Sequence, residues 1–146
     1  MKLGVISDTH IPRRAKKIPD EVYRVFAGVD MIIHAGDLAD GRVLKELSLL
    51  APVEAVAGNM DPPELSGELG YKKMLTVEKV KIGLTHGSGD HGTTLLRAYN
   101  TFRDESPDCI VFGHSHQPYN DMYRGVLLFN PGSPTDKRRQ PFPSVG

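Results

Sequence analysis

Five short apolar runs along the chain each end at a side chain that can bind a metal ion, and this pattern constrains the fold more than any other feature. The runs end near residues 6, 35, 57, 85 and 112 and read as buried strands. The side chains that follow them are Asp8, His10, Asp37, Asn59, His86, His114 and His116. Functional groups gather where the strands of an open α/β sheet end, so one parallel sheet would bring all of these side chains to a single edge.

The first half of the chain alternates between predicted strands and predicted helices. Strands over 3–6, 31–33 and 53–57 are separated by two segments with apolar residues at helical spacing, for which Asp20 and Asp40 are the predicted N-caps. Short connections in the order β-α-β-α-β predict parallel strands joined by right-handed crossovers.

The second half has a different pattern. It predicts a hairpin over 72–84, a helix capped by Thr93 or Thr94, a strand over 109–112, and two strands flanking the Arg124-Gly125 turn. Residues 135–146, which include prolines and the basic triplet Lys137-Arg138-Arg139, are predicted to be a loose C-terminal tail. Residues 1–146 together have the length of a single domain with its own core.

Composition excludes several classes of protein. Lysine plus arginine (18) balances aspartate plus glutamate (18), so broad nucleic-acid binding is not expected. Cys109 is the only cysteine, which rules out an intrachain disulfide and fits a reducing, cytoplasmic location. The first apolar run passes straight into Asp8, so no signal peptide is expected, and no run approaches the ~20 residues of a membrane span.

The candidate ligands predict metal-assisted hydrolysis. In Asp8-Thr9-His10 and His114-Ser115-His116 two ligand types stand at i and i+2, on the same side of an extended backbone. Oxygen and imidazole donors without a thiolate suit one or two divalent cations that hold water, and suit a structural zinc site poorly. Asp37 is the natural bridge between two cations, because a carboxylate has two oxygens. Two cations less two carboxylates would leave a positive centre that attracts phosphate and activates a bridging water.

The motif order Asp-x-His, Gly-Asp, Gly-Asn, His-Gly, Gly-His-x-His resembles the calcineurin-like metallophosphoesterases. The resemblance is greatest to their small branch, the YfcE-type phosphodiesterases and the retromer subunit Vps29. It implies a two-sheet β-sandwich flanked by helices, in αββα layers. It also implies the ligand sets, with Asp8, His10 and His116 on one metal, Asn59, His86 and His114 on the other, and Asp37 between them.

The same resemblance implies a mechanism and cofactors. A hydroxide bridging two metals would attack a phosphoester in line, with Asp37, Asn59 and His86 as the catalytic residues around it. Manganese is the expected metal, and iron, zinc or nickel remain open because oxygen and imidazole donors do not select sharply among them. The expected partner is a small phosphoester substrate, not a membrane, and a homo-oligomer is possible.

Two departures from the family pattern bear on the substrate. Met60 stands where larger members carry the histidine that protonates the leaving group, so the acid would have to be Asp61, a water, or nothing. Diesters with good leaving groups are therefore favoured over alkyl monoesters. Ser88 replaces the second histidine of the usual His-Gly-His, and His91 is close enough in sequence to substitute for it. Asp61 and His91 are thus the predicted substrate contacts.

Two other interpretations of the sequence compete with a metallophosphoesterase. A non-catalytic, Vps29-like scaffold for protein interactions is the alternative, because Ile11-Pro12-Arg13 after His10 resembles that branch. A Rossmann-type nucleotide-binding domain is excluded, since no Gly-x-Gly-x-x-Gly is present. His34 is predicted to support the metal site from outside it, and the triplet at 137–139 is predicted to be solvated.

Overall fold

The computed structural model describes residues 1–146 and contains a parallel sheet and a second, mixed sheet. The parallel sheet has the order β1-β2-β3, formed by β1 (Leu3–Ile6), β2 (Met31–His34) and β3 (Val53–Ala55). Two helices make the crossovers between these strands, α1 (Asp20–Val25) and α2 (Arg42–Ser48). The predicted β-α-β-α-β arrangement is confirmed.

The mixed sheet is built from the second half of the chain. Its strands are β4 (Lys72–Val77), β5 (Val80–Thr85), β6 (Cys109–Val111), β7 (Tyr119–Tyr123) and β8 (Val126–Asn130), in the order β4-β5-β6-β8-β7. The β5-β6 and β6-β8 pairs are parallel, and the two hairpins at the edges are antiparallel. The candidate ligands therefore follow strands of two sheets, and their placement on one parallel sheet was wrong.

Three groups of buried apolar side chains hold the layers together. Between the sheets, Val5 and Ile33 pack with Ile82, Leu84 and Val111. On the outer face of the parallel sheet, side chains of α1 and α2 cover β1 and β2. The helix α3 (Pro63–Leu69) connects β3 to β4, and on the outer face of the mixed sheet lies α4 (Thr94–Thr101), packed over β6 and β8. These are the αββα layers that the family resemblance implied.

Of the N-cap residues predicted from the sequence, one is confirmed and two are wrong. Thr93 caps α4 as predicted, since its hydroxyl accepts a hydrogen bond from the Leu96 amide at 3.2 Å. Asp20 and Asp40 were wrong as N-caps, because the caps are Pro19 and Gly41. No helix is long and apolar enough to cross a lipid bilayer.

The segment after β8 is attached to the domain, which corrects the prediction of a loose tail at 135–146. Gly146 exchanges two backbone hydrogen bonds of 2.8 Å with Val5 at the open edge of β1. The Ser144 amide donates to the Ser133 carbonyl at 2.9 Å, and Val145 packs against the core beneath α1. Backbone pairing along a free strand edge needs no particular side chains, so composition did not reveal it.

Candidate metal centre

The loops that follow β1, β2, β3, β5 and β6 meet at one end of the sandwich and bring the candidate ligands together. Within each of two groups, the ligand atoms lie within 4.8 Å of one another. One group contains Asp8, His10 and His116, and the other contains Asp37, His86 and His114. Asn59 joins the second group, because its Oδ1 lies 3.2 Å from Nδ1 of His114. The predicted metal ligands are thus all in one place.

The Asp37 carboxylate lies between the two groups. Its Oδ2 is 3.5 Å from Nε2 of His10 in the first group and 3.1 Å from Nε2 of His86 in the second. Asp8 Oδ1 is similarly placed, at 3.6 Å from His10 Nε2 and 3.8 Å from His86 Nε2. This geometry suits a carboxylate shared between two cations.

Four buried polar atoms at the centre have no hydrogen-bond partner. They are Asp8 Oδ1 and the Nε2 atoms of His10, His86 and His116. An unsatisfied buried polar group costs about 1–3 kcal/mol, and native proteins rarely contain several in contact. The four atoms face one another and are all donors to divalent cations, so the residues present fit metal ions at this position.

Backbone carbonyls fix the orientation of two of the imidazoles. His86 Nδ1 lies 2.7 Å from the Ala35 carbonyl oxygen, and His116 Nδ1 lies 2.6 Å from that of Asp136. The Nδ1–H group donates to the carbonyl in each case, which leaves the Nε2 lone pair directed into the centre. His116 therefore depends on Asp136, in a segment that sequence patterns did not connect with the site.

The Asp8 carboxylate is oriented in the same way by its neighbours. Oδ2 accepts hydrogen bonds from the Ser7 hydroxyl at 2.7 Å and from the His114 amide at 3.0 Å, which leaves Oδ1 for a cation. Gly113 permits this approach, because a Cβ there would lie 2.0 Å from Ser7 Oγ. The hydroxyls of Ser133 and Thr135 hold the loop from behind by donating to its carbonyl oxygens.

Asp61 joins the loop after β2 to the loop after β3. Its predicted role as a substrate contact or acid does not fit this geometry. Its carboxylate accepts the backbone amides of Asp37 at 3.0 Å, Ala39 at 2.7 Å and Gly58 at 2.8 Å. In return, the Met60 amide donates to Asp37 Oδ1 at 2.8 Å. Both oxygens of Asp61 are thus engaged inside the protein.

The carboxylates at the centre are held in the charged form. Burial alone would raise the pKa of the Asp8 carboxyl, but the imidazoles of His10 and His116 outweigh it and hold that pKa well below its usual range. Burial likewise opposes ionisation of Asp37, and the imidazole of His86 reverses the effect and lowers its pKa. Both acids are therefore ready to bind cations at neutral pH.

The carboxylates and the neighbouring imidazoles in turn shift the pKa values of the histidines. Burial would lower the pKa of His86, yet the Asp37 carboxylate raises it, and Asp8 raises the pKa of His116 against burial in the same way. Burial and the neighbouring His86 lower the pKa of His114. A cation binding here would displace protons from the imidazoles, so metal affinity should increase with pH.

The backbone at the centre adopts a strained conformation. Five candidate ligands have a left-handed φ: Asp8 (54°), His10 (45°), Asp37 (56°), His114 (67°) and His116 (58°). Residues other than glycine rarely adopt this backbone conformation, and its cost in conformational free energy is on the order of 1 kcal/mol or more for each residue. Strain of this kind concentrates at functional sites, where the surrounding structure enforces it.

The remaining sequence predictions fall outside the cluster. His34 is fully buried, and its ring contacts the Thr9 hydroxyl at 3.1 Å and the Gly36 amide at 3.2 Å, so it joins two of the ligand loops. His91 is exposed, and its imidazole makes no hydrogen bond within the protein. Met60 is 44% exposed beside Asn59 and offers no proton.

Comparisons with known proteins identify the family and agree with the fold. The model of the calcineurin-like phosphoesterase superfamily domain matches residues 1–146. A probable metallophosphoesterase from Methanothermobacter thermautotrophicus is 43% identical over 142 residues, which cover 94% of this chain and 80% of the relative. Phosphodiesterase MJ0936 from Methanocaldococcus jannaschii is 29% identical over 146 residues, covering 90% and 83%. The crystal structure of wild-type Vps29 with Zn2+ from Entamoeba histolytica superposes with a TM-score of 0.80 at 27% identity, covering 99% and 83%.

Proposed function

Because the chain belongs to the calcineurin-like phosphoesterase superfamily, we propose that it is a divalent-metal-dependent phosphodiesterase. The observation that carries the proposal is the set of four buried atoms that can bind a metal and have no hydrogen-bond partner. They face one another beside the Asp37 carboxylate, which lies between the two ligand groups. A purely structural cluster would satisfy these atoms with hydrogen bonds. A phosphodiesterase relative with 29% identity supports the same reaction.

The residues divide between two ions as their distances suggest. Asp8, His10 and His116 would hold one ion, Asn59, His86 and His114 the other, and Asp37 would contact both. Two bound ions would supply a water activated as nucleophile and would neutralise the charge of the phosphate. Manganese is the proposed metal, and iron, zinc and nickel suit the same donors.

The preference for good leaving groups follows from the absence of a proton donor beside Asn59. Met60 has no titratable group, and both oxygens of Asp61 accept backbone amides. General-acid catalysis contributes about 10²–10⁴ in rate, so an enzyme without it depends on leaving groups that depart as stable anions. We expect aryl diesters to be hydrolysed well and alkyl monoesters poorly.

A non-catalytic scaffold for protein interactions is the second candidate. The superposition on Vps29 from Entamoeba histolytica favours it. An apolar groove of about 410 Å³ between α1 and the segment near Phe142 could receive a partner. The retained donors and their supporting hydrogen bonds favour catalysis, because a scaffold needs none of them.

Hydrolysis of bis(p-nitrophenyl) phosphate by protein loaded with Mn2+ tests the proposal. We expect turnover that requires the metal, and a loss of about 10²-fold or more in Asp37→Asn, which keeps the shape of the side chain but removes the shared charge. Calorimetric titration with Mn2+ should show weaker binding to the same variant. Wild-type protein that binds Mn2+ but hydrolyses no diester would reject the enzyme in favour of the scaffold.

A further inference from the structure

Arg138 stands at the edge of the candidate metal centre and not in a free tail. Residues 137–140 form a turn closed by a hydrogen bond of 2.9 Å from the Gln140 amide to the Lys137 carbonyl, and Arg138 has a φ of 47° within it. The turn continues directly from Asp136, whose carbonyl accepts the hydrogen bond from His116. The backbone of Arg138 is therefore held close to one of the candidate ligands.

The guanidinium of Arg138 reaches back toward the centre and keeps its charge unpaired. Its Nη1 donates to the carbonyl oxygen of His114 at 3.4 Å. The nearby Asp136 carboxylate pairs instead with Nε of Arg14, at 3.2 Å, and Arg138 makes no ion pair within the protein. A guanidinium has five N–H donors, so most of them remain exposed and free beside the site.

This position suits a second anionic group of the substrate. Two divalent ions held by the candidate ligands would provide four positive charges against the two negative charges of Asp8 and Asp37, enough to bind the scissile phosphate. A further cation at the rim adds binding energy where the substrate extends beyond that phosphate. A guanidinium binds phosphate oxygens through two parallel hydrogen bonds, more specifically than an ammonium group does.

We propose that Arg138 determines specificity by binding a second phosphate group next to the scissile one. The substrate class is then a phosphodiester that carries another phosphate, such as a nucleotide diester phosphorylated on its sugar. This inference rests on the proposed phosphodiesterase activity. It does not require broad nucleic-acid binding, because a single cation contacts a single group.

Two chromogenic substrates with the same leaving group separate these contributions. They are the p-nitrophenyl ester of thymidine 5′-phosphate, without and with a 3′-phosphate. In wild-type protein loaded with Mn2+, the 3′-phosphate should lower KM with little change in kcat. Arg138→Gln should raise KM for the 3′-phosphorylated ester about fivefold to tenfold and leave the simple ester within about twofold. Arg138→Lys should recover part of the difference, and higher salt should reduce it.

Arg139→Gln is the matched control, since its side chain is exposed, basic and adjacent but does not contact the centre. We expect it to behave as wild type with both substrates. Equal losses on the two esters in Arg138→Gln would overturn the proposal, because they would place the guanidinium on the scissile phosphate or in the loop. An Arg138→Gln variant with unchanged KM for both would overturn it too. Hydrolysis of the simple ester by wild type shows separately whether the proposed phosphodiesterase activity stands.

Discussion

Replacing Asp61 with asparagine tests whether this carboxylate holds the loops that carry Asp37 and Asn59. Oδ2 accepts the amides of Asp37 and Gly58, and Oδ1 accepts the amide of Ala39. Asparagine has one acceptor oxygen, so in its better orientation it keeps the two bonds at Oδ2 and turns its NH2 group toward the Ala39 N–H. The substitution loses one charge-assisted hydrogen bond and creates a contact between two donors.

The expected loss can be worked from these contacts. A hydrogen bond to a charged group contributes about 1.5–3 kcal/mol, and an unsatisfied donor costs about 1–3 kcal/mol. Asp61 is partly exposed, so we expect a total of about 3 kcal/mol for the metal-free protein. At about 3 °C per kcal/mol for a chain of this size, Tm should fall by about 9 °C. Metal affinity should fall about 10–100-fold, as is usual when the support of a ligand is removed.

Three measurements check this prediction. Circular dichroism after treatment with a chelator gives Tm, calorimetric titration gives the affinity for Mn2+, and steady-state assays give kcat/KM for an aryl and an alkyl diester. The loss of kcat/KM should be similar for both esters, because misplaced ligands affect every substrate alike. Asp104→Asn makes the same chemical change at an exposed carboxylate without hydrogen bonds or ion pairs, and it should alter none of the three.

A different outcome would refute the loop-holding role. If Asp61 donates a proton to the leaving group, the asparagine variant will have the Tm and the Mn2+ affinity of wild type. Its activity will then fall mainly against the alkyl ester, whose leaving group needs the proton.

Three further predictions concern the same loops. Gly58→Ala would place a methyl group 2.1 Å from Asp37 Oδ1, so calorimetry should show Mn2+ binding at least about tenfold weaker, whereas Gly67→Ala, whose Cβ meets nothing within 4 Å, should bind normally. Met60→His supplies a proton donor, and assays should show about 10²-fold faster hydrolysis of an alkyl diester with little change for an aryl one; no gain would contradict our account of the leaving group. Burial lowers the pKa of His34 to about 3 from 6.5, so the unfolded chain takes up a proton that the folded one does not, and stability is complete above pH 6.5 and lost toward pH 3. Urea unfolding should show about 2 kcal/mol lost from this group between pH 7 and 5, and a His34→Gln variant with the same pH dependence as wild type would contradict this.

Much of the fold was predictable because its signals are local. The strands at 3–6, 31–33 and 72–77 stand out as apolar or alternating runs, and Thr93 marks the start of α4. Their division into two sheets was not visible from periodicity, since a buried strand looks the same in either sheet. The helix α3 (Pro63–Leu69) was missed, because a short segment with proline and an internal glycine has low helix propensity.

The sequence predicted which residues form the candidate site, but not which groups orient them. Each candidate ligand follows an apolar run, and the ends of those strands meet where the two sheets pack face to face. The groups that orient them bond mostly to the backbone, as when Thr135 donates to the Thr9 carbonyl or His116 to that of Asp136. Contacts of this kind depend on where a distant segment docks. The sequence pattern therefore suggested a substrate contact for Asp61, and the structure shows a bond between loops.

The left-handed backbone at five candidate ligands lowers the stability of the folded chain in order to place metal-binding side chains. Glycine would adopt the same conformation at each of these positions with less strain, on the order of 1 kcal/mol per residue. A library of this protein screened only for heat tolerance should therefore accumulate glycine or asparagine at position 114, where the side chain is only half-buried, and lose a metal donor there as it gains stability. Histidine at this position therefore gives up conformational stability in exchange for an imidazole that can bind a cation.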